Sequence, residues 1–132
     1  MIKIKFYENG FEVSGHSKPL TCGEVSAMVY IIINSIFVID KSAGCFLEEG
    51  NTGYTALWFD KDNKIADMLF IKFTKDFIEW CEECFEEKEY QITNENRWLE
   101  WEEIQKEVEK RGLYFLNEEE KANGLSRSIK AT

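Results

Sequence analysis

The chain has 132 residues, 44% of them hydrophobic and 14% aromatic, enough apolar material for one packed domain and too much for a disordered chain. Sixteen Lys and Arg against twenty-five Asp and Glu leave a formal charge of −9. A field of that sign repels polyphosphates, so nucleic acid and anionic membrane are excluded as primary partners.

The elements follow in chain order. Ile2 to Tyr7 places Ile2, Ile4 and Phe6 on one face and Lys3, Lys5 and Tyr7 on the other, the period of a half-buried strand and not of a secretory signal. Glu8-Asn9-Gly10 predicts a tight turn, with Asn-Gly supplying positive φ, and Phe11 to His16 returns as a second strand. Thr21-Cys22-Gly23-Glu24 has the spacing of a capping box, Thr21 as N-cap and Glu24 three residues on. It introduces an apolar helix over Val25 to Ile39 that ends near Asp40-Lys41-Ser42-Ala43-Gly44. That run is shorter than a membrane span and is interrupted by Ser26, Asn34 and Ser35, so a helix buried on most sides is expected.

Cys45 to Glu48 and Tyr54 to Phe59, either side of Gly50-Asn51-Thr52-Gly53, predict a second hairpin. Steps of three and four from Leu69 through Phe70, Phe73, Phe77, Trp80, Cys81 and Cys84 to Phe85 predict an amphipathic helix over Ala66 to Lys88. Tyr90 to Thr93 suits a short closing strand. Composition then shifts: Trp98 to Arg111 is strongly charged with a thin stripe of Trp98, Trp101, Ile104 and Val108, and Gly112 suits its stop. Leu113 to Leu116, a small acidic turn or helix and a polar tail from Gly124 finish the chain. The expected class is α/β of the α+β kind: a small mixed sheet of short strands with two main helices packed on it. Residues 1–93 form the core domain, and residues 94–132 an acidic helical C-terminal extension. Most of the negative charge falls between Asp76 and Glu120, while the first 22 residues are near neutral.

His16, the single histidine, ends the second strand, and Cys22 follows six residues later at the start of a helix. Helix N-termini present unpaired N–H groups and the positive end of the macrodipole, which favour a thiolate nucleophile. An imidazole beside it can carry the proton to a leaving amine, and the amide of Gly23, unobstructed by a side chain, can receive an oxyanion. These parts suit acyl transfer. The competing reading is a buried Cys that only packs and a His that only faces solvent. Cys81-Glu82-Glu83-Cys84 has the spacing of a metal or redox pair, but no second pair accompanies it, and both thiols fall on the predicted apolar face, so packing is favoured. Four cysteines without an export signal imply free thiols in the cytoplasm.

Gly15-His16 after an N-terminal hairpin, then Cys22-Gly23-Glu24-Val25-Ser26-Ala27-Met28-Val29 opening an apolar helix, resembles the ribosomal-processing cysteine protease family, Prp. The resemblance extends to element order over roughly residues 1 to 93, including Gly53-Tyr54 in the second hairpin, and its specific part lies within 15 to 29. It implies a Cys–His dyad of Cys22 as nucleophile and His16 as base, no cofactor and no metal, and a homodimer. The substrate it implies is a protein or peptide: the family removes an N-terminal extension from a large-subunit ribosomal protein, and phage relatives resemble processors of virion proteins. The His-to-Cys loop, Ser17-Lys18-Pro19-Leu20-Thr21, is shorter than the family's and lacks its Asp, and the extension after Thr93 lies beyond the family core. A non-catalytic binding or regulatory module on the same fold is the alternative.

Overall fold

Alternation in the first six residues produces β1 (Ile2–Tyr7), with Ile2, Ile4 and Phe6 each no more than 2% exposed and Lys3 and Lys5 in solvent. The structure, a computed structural model, describes residues 1–48 and 53–115. β1 pairs antiparallel with β2 (Gly10–Gly15), opposing Tyr7 to Gly10, so the turn residues are Glu8 and Asn9. This corrects the positive-φ turn: among the described non-glycine residues only Asn96 has positive φ, and Gly10 does not. The dipeptide is explained differently. A Cβ on Gly10 would lie 2.1 Å from the Leu57 carbonyl oxygen on the neighbouring strand, so only glycine lets the strands meet. Asn9 is buried, and its side chain is spoken for elsewhere, as described below.

α1 (Pro19–Ile39) leads to β3 (Gly44–Glu48), which pairs antiparallel with β4 (Tyr54–Trp58) as the predicted hairpin; its turn, 49–52, lies outside the described residues. α2 (Lys64–Cys84) starts two residues before the expected Ala66, because the Asn63 side chain caps it by accepting from the Ala66 amide at 3.0 Å. The same side chain donates to the Ile39 carbonyl at 3.0 Å, tying the end of α1 to the start of α2. α2 ends at Cys84, short of the expected Lys88, and a single 3-10 turn, Glu87–Glu89, brings the chain into β5 (Tyr90–Asn94), which lies parallel to β1. α3 (Trp101–Arg111) stops at Gly112, whose φ of +62° is the left-handed cap the sequence predicts. β6 (Leu113–Phe115) then pairs with β3. The sheet is mixed, in the order β5-β1-β2-β4-β3-β6.

One face of the sheet carries the main core, where Phe6 and Phe11 meet Phe70 and Phe77 of α2 and Val25, Val29, Ile33 and Ile36 of α1. α1 is long and apolar enough to cross a membrane, yet nine of its residues are buried in the fold. The other face holds a second cluster of Tyr7, Phe46, Tyr54, Ala56, Leu99 and Ile104, with Trp58, Trp101 and Val108 at its rim. Trp98, expected on the helical stripe, precedes α3 and lies outside it. The described part of the extension is therefore a working layer of the fold. Across strands of the sheet, Glu12 accepts from the Tyr7 hydroxyl at 2.8 Å and the Tyr54 hydroxyl at 3.1 Å. Burial and that carboxylate hold both phenols well above their ordinary range. The guanidinium groups of Arg97 and Arg111 cover the two rings at 5.1 and 4.3 Å. The sequence from Leu116 onward lies outside the described residues.

Candidate active site

His16 is placed by the end of β2. Gly15 turns there with φ +83°, and a side chain on it would press within 2.3 Å of the Met1 carbonyl oxygen, so glycine is required before the histidine. The terminal amine of Met1 donates to the His16 carbonyl, and the Gly15 amide donates to the Gly53 carbonyl at 3.2 Å. These bonds join the strand end carrying His16 to the starts of β1 and β4. The imidazole itself is exposed.

Cys22 sits in α1, but not as the capping box predicts. The helix begins at Pro19, with Lys18 as N-cap and no side-chain cap, so Thr21 is the third helical residue and Cys22 the fourth. Pro19 takes the N1 position, where its missing N–H has no helical partner to lose. Thr21 instead points inward and donates from Oγ1 to Glu89 Oε1 at 2.8 Å. The Cys22 amide donates to the Lys18 carbonyl at 2.9 Å and is thus inside the helical ladder. Gly23 is buried one residue further on, so an oxyanion role for its amide requires that N–H to leave the ladder. The amides that position leaves outside the ladder are those of Lys18, Leu20 and Thr21.

The Cys22 sulfur is half-buried and fastened to the preceding loop. The Ser17 amide donates to Sγ at 3.1 Å, and the thiol faces the Ser17 carbonyl oxygen at 3.4 Å. His16 and Cys22 line one cavity of about 70 Å³, together with Ser14, Ser26, Gly53, Thr55 and an apolar wall. The predicted pair thus shares a cavity, with the short loop folded back on the sulfur.

Glu89 is the residue that sequence reasoning missed. It is 5% exposed, at the end of the 3-10 turn, and its carboxylate accepts from the Glu86 amide at 3.0 Å, from Thr21, and from Lys18 Nζ at 3.1 Å. These contacts, led by the Glu86 amide, hold its carboxyl below the usual range. It fixes the N-cap and third residue of the helix that carries Cys22. No local spacing signals this, because the partners are 68 positions apart.

The remaining cysteines separate. Cys81 is buried, and burial, then the neighbouring Cys84 and Glu82, push its thiol up to about 12. Cys84, expected on the apolar face, is exposed beyond it. None of the four cysteines forms a disulfide. Among the described residues no cluster of three or more metal-ligating side chains occurs.

No family model and no curated protein matches the chain. Solved structures do. The essential ribosomal processing protease Prp from S. aureus, in complex with a covalently linked product peptide, superposes with TM-score 0.60 at 16% identity, over 72% of this chain and 100% of that one. A protein from Streptococcus mutans gives 0.59 at 17% identity, over 74% and 99%. A hypothetical protein from Staphylococcus aureus gives 0.55 at 14%, over 72% and 100%. The chain thus has the Prp fold, an α+β mixed sheet with packed helices.

Proposed function

We propose that the protein is a thiol endopeptidase of the Prp type, acting on peptide or protein substrates through Cys22 and His16. The observation that carries this reading is the shared cavity: the one histidine and a sulfur near the start of a helix line it together. Cys22 Sγ, its proton passed to His16, attacks the scissile carbonyl carbon and forms a tetrahedral oxyanion. Main-chain N–H groups at the start of α1 receive that charge, those of the first turn directly and that of Gly23 on opening of the ladder. Collapse breaks the C–N bond, and the leaving amine takes the proton from His16. Water, deprotonated by His16, then hydrolyses the thioester and restores the thiol. No metal or cofactor enters these steps.

The acidic chain, at −9, favours a basic substrate such as a ribosomal protein precursor with an N-terminal extension, or a virion protein. Free thiols suit a cytoplasmic setting. The protein acts as a homodimer, a reading supported by the apolar outer faces of α1 and α2: Ile31 is 62% exposed, Val38 80%, Ile65 67% and Met68 71%. The test of the activity is cleavage of a basic precursor peptide. Wild type cuts it and Cys22→Ala does not; a Cys22→Ala protein that still cuts overturns the reading.

A second reading, a non-catalytic binding module, draws on the engagement of Cys22 Sγ by the Ser17 backbone and on the fused extension. It predicts a Cys22 no more reactive than Cys84.

A further inference from the structure

We propose that Glu89 is a positioning residue for Cys22: by holding Thr21 and Lys18 it sets the thiol against the strand end that carries His16, a role that rests on the thiol-peptidase reading. The members of the pair stand on different elements, His16 just past β2 and Cys22 in the opening of α1. Residues 17–21 join them along the chain. α1 has no side-chain cap and no acidic residue in its first turn, so its own sequence does little to fix where it starts.

Glu89 supplies that fix from outside the helix. Its buried carboxylate accepts from Thr21 Oγ1 at 2.8 Å and pairs with Lys18 Nζ at 3.1 Å. Lys18 is the N-cap, and its carbonyl accepts from the Cys22 amide at 2.9 Å. Ser17, just ahead of Lys18, donates its amide to Cys22 Sγ at 3.1 Å. One carboxylate thus grips the residue after Ser17 and the residue before Cys22, the two ends of the clasp on the sulfur. The carboxylate is itself anchored in the sheet. The Glu86 amide holds its other oxygen at 3.0 Å, and Tyr90, the next residue, lies opposite Ile2 in the parallel pairing of β5 with β1. Met1, beside Ile2, donates its terminal amine to the His16 carbonyl. A continuous path therefore runs from the main chain of His16 through β1, β5 and Glu89 to the turn that holds Cys22. A negative charge near a thiol disfavours the thiolate, so what Glu89 contributes to Cys22 is placement, and its charge acts with the opposite sign.

The test is iodoacetamide labelling of the intact chain near pH 6, read as the ratio of the Cys22 rate to that of the exposed Cys84. Buried Cys81, silent while the chain is folded, reports the fold in the same sample. Thr21→Val deletes the hydroxyl and keeps the Glu89 charge, whereas Glu89→Ala deletes both bridge and charge. Each truncation should cut the ratio about fivefold or more. Thr21→Ser keeps the hydroxyl. Glu89→Gln keeps the bridge without the charge, its carbonyl on the Glu86 amide and its amide donating to the Thr21 hydroxyl, which can accept. These two should equal the wild-type ratio within about twofold or exceed it. A wild-type ratio in either folded truncation overturns the positioning role, as does a fall in Thr21→Ser or Glu89→Gln as deep as in the truncations. If Glu89→Ala labels Cys81, Thr21→Val decides; if both label it, the contact serves stability alone and the role is overturned. These failures leave the peptidase reading standing. A wild type whose Cys22 reacts no faster than Cys84 defeats that reading, and the role with it.

Discussion

Asn9 and Leu99, ninety positions apart, exchange hydrogen bonds: the Leu99 amide donates to Asn9 Oδ1 at 2.6 Å, and Asn9 Nδ2 donates to the Leu99 carbonyl at 3.1 Å. The same Nδ2 donates to the Phe59 carbonyl at 2.8 Å, and Trp58 Nε1 reaches the Leu99 carbonyl at 2.8 Å. One buried side chain therefore fastens the first hairpin, the end of β4 and the entry to the extension. Asn9→Ala takes the side-chain partner from the Leu99 amide and the Phe59 carbonyl in a buried place, while the Leu99 carbonyl keeps Trp58 Nε1. The expected loss is about 3 kcal/mol, read from urea unfolding. It is accompanied by faster proteolysis within residues 95–111.

Gly10→Ala tests the close approach of β2 and β4. The added methyl meets the Leu57 carbonyl oxygen, a backbone atom that moves only with its strand. We expect a destabilisation of about 3 kcal/mol in the same assay. Gly112→Ala meets nothing within 4 Å and bears only the strain of φ +62°, so it should lose about 1 kcal/mol.

Glu89 gives a pH dependence with a definite sign. Its carboxyl is held below the ordinary range in the folded chain. Its contribution is therefore present above the unfolded carboxyl value and is lost as pH falls through the folded one. Glu89→Gln should lower stability at neutral pH while flattening the decline in acid, measured by urea unfolding at neutral and acidic pH. Parallel declines in wild type and variant contradict this role.

Much of the fold was legible because it depends on neighbours in sequence. Period-two alternation in residues 2–7 gave β1, three- and four-residue steps gave α2, and Gly112 marked the end of α3. What escaped was set by distant partners. The Thr21-to-Glu24 spacing imitates a capping box, but Pro19 starts the helix earlier and Glu89 claims the Thr21 hydroxyl. Asn9-Gly10 imitates a positive-φ turn, while its residues answer to Leu99 and Leu57. Within the charged extension Leu99 and Ile104 are 3% and 2% exposed against the sheet, and of these only Ile104 lies on the apolar stripe that the sequence shows. In the candidate site, His16 and Cys22 were both legible, as were the strand end and the apolar helix that carry them. The clasp of Ser17 on the sulfur and the Glu89 anchor were not.

The helical face offers a test of assembly. From Val25 to Ile39 α1 carries no charged residue, although Ile31 and Val38 are exposed. Sedimentation of the wild type should give a dimer, and Val38→Lys combined with Met68→Lys a folded monomer. A monomeric wild type contradicts the homodimer.

Mass-spectrometric labelling of each thiol in the native chain measures most directly whether Cys22 is a nucleophile served by His16. With iodoacetamide near pH 6, Cys22 should be labelled about tenfold faster than the exposed Cys84, with Cys81 silent, and His16→Ala should abolish the advantage. Equal labelling of Cys22 and Cys84, or an advantage that survives His16→Ala, contradicts it.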